Sequence, residues 1–570
     1  MKLTKYLIIT CLLSIISINS VKAQYANTLY FMDGIAERNN MNPALTPDCN
    51  FYFDFIFLPN LYYNFGNDNF VINDFIYNQN GKATTFLNSQ ESIDKFYNHL
   101  KPATTLNFNM HLNILSFGFQ VKKHYFTFDM GLQSDLSAHL PREMFKLLLY
   151  GTPDPDGVNT FDFSKLGVNA TLYSNVNLGY MYRINKKITV GTKVKFLMGY
   201  ANINTSIKKL DLNASREEWA LETDGQVTAS LPITFNTNND GSIDFGSLAL
   251  NDTQDLINLL MRPAGTGFAV DLGVKYEPIK HLVLSASITD LGFINWSRNT
   301  FSGSMQGHHT INQIIDYTVG DTLSISEDII ELGDEILGTI RTDGQGQHYR
   351  TNLRGNFFVA AEYGILKNRI SFGIMNRLSF KDNIIQDEAI VALNLRPLNR
   401  LKATASYSLI NGRGGNIGVG LNLSLGMMNM YLIADYIPLS YINLESKDLD
   451  PIISIIPIPN KSQMFNLQMG WAWNIGRHFK DPDHDGVKRK KDKCPDTDMD
   501  LIRKQCPGLK KKELINKEGC YLDDDNDGIH NCLDLCPDTP IGIEVNATGC
   551  PLDTIIAYPN LPSDTPTENQ

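Results

Sequence analysis

Asp481-x-Asp483-x-Asp485-Gly486 and Asp523-x-Asp525-x-Asp527-Gly528 are the residues of this 570-residue chain best spaced to do chemistry. A hard cation such as Ca2+ takes roughly six to eight oxygens, and carboxylates alternating along a tight glycine-containing turn converge on one point. In the second motif the loop continues with the Ile529 carbonyl, then Asn531, then Asp534. In the first, Val487 and Asp492 hold the equivalent first and last places. Arg489 stands where Asn531 stands in the second loop, removing an oxygen and adding a positive charge. The first site is therefore expected to be the weaker. Each loop ends in Asp rather than Glu and lacks a flanking helix pair, so neither is an EF-hand.

Six cysteines crowd the same segment: Cys494, Cys506, Cys520, Cys532, Cys536 and Cys550. An even, clustered set in an exported chain suggests disulfides and an oxidising compartment. A zinc site is the weaker reading, because a C-x2-C pair is absent. The spacing of Cys536 and Cys550 suggests a bridge worth roughly 3 kcal/mol in the chain-entropy model. The other four cysteines leave three pairings open.

Cys494-Pro495-Asp496-Thr497 and Cys536-Pro537-Asp538-Thr539 follow the two loops. With them, residues 480–553 resemble thrombospondin type 3 repeats. That resemblance implies bound Ca2+ and a periplasmic stalk, of the kind that joins an outer-membrane barrel to a peptidoglycan-binding OmpA-like domain. Residues 554–570 are polar and Pro-rich and are expected to be disordered. No OmpA-like domain is expected, and a periplasmic or cell-envelope protein partner would take its place. The basic run at Lys488 to Lys493 could meet an anionic surface or simply be a solvated face.

Catalysis has no comparable signature. The eleven His are scattered, and no G-x-S-x-G, H-E-x-x-H or phosphate loop stands where it would act, so the chain is expected not to be an enzyme. A net charge of −11 argues against a nucleic-acid partner. With 43% apolar and 19% charged residues, the chain is neither disordered nor a coiled coil.

The elements that must carry these loops begin with an address. Residues 1–23 read as a secretory signal, with Lys2 and Lys5 before an apolar run and Val21-Lys22-Ala23 as the cleavage site. From about 104 to 476 the pattern is alternation, as in Leu172, Ser174, Val176, Leu178, Tyr180 and Tyr182 set against Tyr173, Asn175, Asn177 and Gly179. Successive strand side chains point to opposite faces, so each run has one apolar and one small or polar face. Fourteen such runs recur, 226–236 among them, long enough to cross a bilayer at a tilt. The expected fold is all-β: a transmembrane antiparallel barrel of about fourteen strands, with twelve or sixteen as alternatives. Charge segregates to the polar face, where Lys193, Lys195, Arg354, Glu362 and Arg377 would line the lumen. Tyr180, Tyr182, Tyr200, Tyr276, Tyr363 and Phe380 would form the interfacial girdle.

Four inserts, 92–100, 142–150, 253–261 and 326–341, carry helical spacing and would gate or cap the barrel. Gln468-Met469-Gly470-Trp471-Ala472-Trp473-Asn474-Ile475 resembles the β-signal of outer-membrane proteins. That likeness makes Gln468, Gly470, Trp473 and Ile475 the residues read by the barrel-assembly machinery. Asn42-Pro43-Ala44 in the mature N-terminal segment resembles Bacteroidota-type outer-membrane barrels of the fatty-acid-transporter-like superfamily. The resemblance implies a plug or periplasmic segment at 24–50 and a barrel over 51–479, set in outer-membrane lipid. Two functions follow: a pore or transporter for small or amphipathic solutes, or a structural, assembly or adhesion-type protein whose plugged barrel anchors a periplasmic partner-binding tail.

Overall fold

Strands form wherever the alternation is sustained, and fourteen of them close into a ring. In chain order they are β1 (Cys49–Asn67), β2 (Ala103–Val121), β3 (His124–Pro141), β4 (Gly167–Arg183), β5 (Ile188–Ala214), β6 (Gly265–Tyr276) and β7 (Leu282–Trp296). The second half holds β8 (Gly355–Ile365), β9 (Ile370–Lys381), β10 (Ile384–Leu398), β11 (Leu401–Ile410), β12 (Arg413–Leu425), β13 (Met428–Ile437) and β14 (Met464–Arg477). Each pairs with the next and β14 returns to β1. No edge is left open, as a sheet within hydrocarbon requires. The computed structural model describes residues 26–79, 82–151, 157–215, 218–231, 262–311, 325–345, 347–366, 368–381, 384–398, 400–410, 413–437, 441–445, 455–459, 464–477, 485–487, 491–494 and 497–552.

The ring is not built from the fourteen runs the sequence predicts. Run 226–236 is not a spanning strand: Trp219–Ser230 pairs with the far half of β5 and with Thr300–Ile311, beyond the ring. Its place is taken by β1, where Tyr52 faces inward between Phe51 and Phe53, and Tyr62 between Leu61 and Tyr63, so that both faces carry large side chains. Tyr200 departs from the expected girdle. A bulge opposite Leu172 and Tyr173 flips the parity of β5, and the Tyr200 hydroxyl lies 2.8 Å from Ser174 Oγ, buried. Tyr180, Tyr276 and Tyr363 do face outward.

The outer surface is apolar. Leu178, Phe196, Phe268, Phe372, Val391 and Leu421 stand 40–54% exposed on six strands of the ring. A soluble protein seldom exposes so continuous a belt, whereas lipid accepts it. The inner face is polar, with Asn64, Asn109, Asn177, Asn394, Asn422 and Asn466 all buried. A transmembrane β-barrel is the architecture that reconciles the two faces.

Three of the helical inserts are helices: α1 (Gln90–His99), α2 (Arg142–Tyr150) and α3 (Ile325–Gly338). Residues 253–261 lie outside the described residues. Leu147 of α2 and Leu332 and Ile336 of α3 pack on Leu210, Leu212, Trp219 and Leu221 of the sheet that extends β5. These two helices therefore cap the extension and do not enter the lumen. Linkers on the opposite rim are short, at 122–123, 184–187, 277–281, 366–369, 399–400 and 426–427. The chain after Gly476 forms a separate unit, with a helix α4 (Met499–Gln505) and a small core of Met499, Ile502, Cys506, Leu514 and Ile515.

Candidate functional site

Residues 26–48 run inside the ring and are almost wholly buried. Two short 3-10 turns, Asn27–Phe31 and Ala36–Asn40, shape the segment. Wall glycines make room for it: a Cβ on Gly191 or Gly273 would strike Pro43, one on Gly373 would strike Phe31, and one on Gly420 would strike Met32. Leu29, Tyr30, Phe31 and Met32 pack on a wall strip of Phe358, Ala360, Met375, Ile390, Ala392 and Ile433.

Polar anchors hold the segment at three places. At its start, Thr28 donates to Asp435 and lies 2.6 Å from Ser406 Oγ, while Asn27 Oδ1 accepts from Arg377 Nη1 at 3.0 Å. At its tip, Asp33 accepts from Arg38 at 2.6 Å and from Arg396 at 2.5 Å. The Asp33 and Gly34 carbonyls take further bonds from Lys402 at 2.9 Å, Asn422 at 3.2 Å and Asn429 at 3.4 Å. Gly34, with φ +87°, makes this turn without strain. In the third place, Lys193 Nζ donates to Asn39 and Asn40, each at 2.5 Å, and to Asp129 at 2.9 Å.

Of the charged residues the sequence assigns to the lumen, Lys193, Lys195 and Arg377 are deeply buried and paired. Lys195 lies between Asp271 at 2.8 Å and Asp290 at 2.6 Å. A bulge in β7 puts Asp290 at φ +59° and turns its carboxylate onto that lysine. Arg377 meets Glu388 at 3.0 Å, and Glu362 meets Arg396 at 2.7 Å. Arg354 falls in the two-residue break between Tyr349–Asn352 and β8, both of which pair with β7, and it is half-buried. The pattern missed Asp33, Asp129, Asp271, Asp290, Glu388, Arg396 and Asp435. For the six on strands the one sequence signal is placement in an alternating run, Asp33 lies in no run, and nothing local names the partner.

The C-terminal unit holds a second constellation. Disulfides join Cys494 to Cys520, Cys506 to Cys532 and Cys536 to Cys550. The first and third occupy equivalent places in two repeats. Thr497 Oγ1 donates to the Gly519 carbonyl at 2.5 Å, and Thr539 Oγ1 to that of Gly549 at 2.9 Å. Asp492 and Asp534 each accept the backbone N–H of the following cysteine, at 2.8 and 2.7 Å. A Cβ on Gly519 would collide with the Asp485 and Asp492 carboxylates, and one on Gly549 with those of Asp527 and Asp534. Asp523, Asp525 and Asp527 bring one carboxylate oxygen each to within 4.8 Å of one another. The Val487 and Ile529 amides donate to Asp485 and Asp527, and Asn531 accepts from Asp524 N at 2.9 Å. Asp481 and Asp483 lie outside the described residues. His530 lies near the Cys506–Cys532 pair, but its Nε2 donates to the Leu514 carbonyl and its Nδ1 accepts from Cys532 N.

On β14, Gln468 Oε1 accepts the Ala26 amide at 3.2 Å, and Gly470 leaves room for Asn60. Trp473 and Ile475 face outward.

A family model described as "Family of unknown function (DUF5723)" matches residues 43–435. The chain belongs to DUF5723. No curated protein matches the sequence. Among solved structures, this DUF5723 chain is similar to the TodX deltaS2S3 mutant monoaromatic hydrocarbon channel, at 10% identity over 76% of this chain and 93% of that one, TM-score 0.40. It is similar to the Pseudomonas putida toluene transporter TodX at 10% identity, over 78% and 95%, TM-score 0.37. A third, a Pseudomonas aeruginosa FadL homologue, is 8% identical over 79% and 96%, TM-score 0.36.

One plug residue of the DUF5723 barrel predicts a pH response. Glu37 is buried beside Asp54, with Asn60 Nδ2 donating to both carboxylates, and burial pushes its carboxyl up to about 7. With the plug withdrawn, Glu37 would return to its ordinary value of 4.5. A raised seated value means that seating is favoured below the ordinary value and loses that contribution as pH climbs through the seated one. Asp33 has the opposite sign. Burial would raise it, but the Arg396 and Arg38 guanidiniums outweigh burial and hold it below the usual carboxylate range, so its contribution persists throughout. Conductance in planar bilayers is expected to rise between pH 5 and pH 8, and Glu37→Gln to flatten the rise. A flat or inverted wild-type profile would refute the assignment.

Proposed function

We propose that the barrel passes small or amphipathic solutes across the outer membrane, with residues 26–48 as a removable stopper. The observation that carries this reading is the wall beneath the plug. An apolar strip from Phe358 to Ile433 lies beside polar groups such as Arg396, Lys402 and Asn422. A path uncovered by plug withdrawal suits a molecule with an apolar body and a polar end. The apolar belt supports the outer membrane as the location, because closed strand barrels are built for that bilayer.

The C-terminal loops are read as Ca2+ sites stiffening a periplasmic stalk that offers a partner its surface. In their support, Asp492 Oδ2, Asp525 Oδ1 and Asp527 Oδ2 are buried without a hydrogen-bond partner. Such a group is costly unless something charged meets it. The chain also leaves β14 on the rim of short linkers, the periplasmic rim in such barrels.

A disulfide lock tests the stopper. Thr28→Cys with Ser406→Cys, at hydroxyls 2.6 Å apart, should abolish solute uptake when oxidised and regain it on reduction, while each single variant transports at least as well as the parent. Undiminished uptake by the locked barrel would refute the stopper. It would favour a permanently plugged barrel that anchors the stalk, a reading that the deep burial of residues 26–45 also supports.

A further inference from the structure

The six short linkers share a composition that neither the lumen nor the stalk uses. Each exposes one large aliphatic side chain at its tip or edge: Val121 48%, Ile184 44%, Ile279 60%, Leu366 65%, Leu398 63% and Met427 60%. These side chains continue the apolar belt to its very rim. Between the strand ends the linkers hold eight Lys or Arg against a single acid, Glu277, and Glu277 is matched by Lys275 at 2.6 Å. Lys122, Lys123, Lys187, Arg369 and Arg400 are all exposed, on four different linkers.

A solvated rim explains the bases but not an aliphatic beside nearly every one. A rim sunk in hydrocarbon explains the aliphatics but not the bases. A headgroup layer explains both, since aliphatic side chains dip into the acyl boundary while Lys and Arg stay at the level of the phosphates.

We propose that the short-linker rim is a binding collar for anionic phospholipid headgroups of the leaflet on that side. The occupant follows from charge complementarity and from continuity with the lipid-facing belt. Phosphate oxygens meet Lys122, Lys123, Lys187, Arg369 and Arg400, and the adjoining aliphatics hold the rim at fixed depth. This holds whatever the lumen carries.

Trp473 gives an internal reporter. It is 41% exposed and pairs with Met428, next to the 426–427 linker; Trp471, its ring 4.6 Å away on the same strand, reports with it, while Trp219 and Trp296 are buried. The full-length barrel is placed in phosphatidylcholine bilayers containing one brominated lipid at equal mole fraction, either phosphatidylglycerol or phosphatidylcholine. Quenching by the brominated phosphatidylglycerol is expected to be about threefold stronger than by the brominated phosphatidylcholine at low salt and to level in about 0.5 M salt. A variant with Lys122, Lys123, Lys186, Lys187, Arg369 and Arg400 all changed to Gln should quench equally with either lipid, while staying heat-modifiable on gels. The salt arm needs no variant, so a folding failure leaves the test standing. Equal quenching in the wild type at low salt overturns the proposal. So does a preference that survives high salt or the Gln substitutions.

Discussion

Asp33→Arg is expected to turn a silent barrel into a conducting one. The Asp33 carboxylate is the plug's one acid among Arg38, Arg396 and Lys402, and those cations converge on a single tight turn. Removing one partner of a buried pair costs about 3–5 kcal/mol, because the survivor is left uncompensated. Asp33 keeps a quarter of its side chain exposed, so the low end applies. Even about 3 kcal/mol shifts a two-state equilibrium by roughly a hundredfold, and reversal adds repulsion from three cations. Single-channel recording should show frequent openings in Asp33→Arg and few in the parent. Pairing it with Arg396→Asp should restore closure. An Asp33→Arg barrel as quiet as the parent would mean that the tip does not hold the plug.

Asp525→Ala with Asp527→Ala should abolish Ca2+-dependent protection of the stalk from protease. The two residues supply two of the three oxygens that converge in the second loop. Both also present a buried oxygen with no hydrogen-bond partner, which is an energetic cost unless a cation offsets it. Disulfides Cys494–Cys520, Cys506–Cys532 and Cys536–Cys550 do not depend on the loop carboxylates, so the variant should keep its covalent frame and lose only the metal response. Limited proteolysis with Ca2+ and with chelator separates the outcomes. Protection unchanged in the double variant would end the metal reading. The barrel should remain heat-modifiable throughout, which confines the effect to the stalk.

How far the sequence was legible depends on the range of each interaction. The pleat alternates side chains locally, so runs such as Leu172 to Tyr182 and Ile417 to Leu425 announce their two faces without reference to any other strand. The failures arise where contacts or bulges outside the local pattern intervene. Tyr52 and Tyr62 set aromatic rings among Asp54, Asn60 and Asn64 on the inner parity of β1, because the inner wall there meets a plug and not water, and a register shift between Phe55 and Asn60 interrupts the run. Tyr200 changes face because a one-residue bulge inverts everything after it. The Asp-Gly loops were readable for the same reason as the strands: their oxygens gather within a few residues. Cys536 and Cys550 lie close in sequence and suggested their own bridge. Pairing Cys494 with Cys520 and Cys506 with Cys532 needed the repeats to be stacked first.

By itself, the sequence determined that this chain is a lipid-facing barrel with an acidic, cysteine-rich tail, because periodicity and motif spacing are short-range properties of the backbone. Only the tertiary structure decided that the lumen is filled. The contacts that fill it, such as Arg396 with Asp33 across 363 positions and Asp435 with Thr28 across 407, are made through space. Their energies depend on burial and on charges brought together by ring closure, and no local pattern records either.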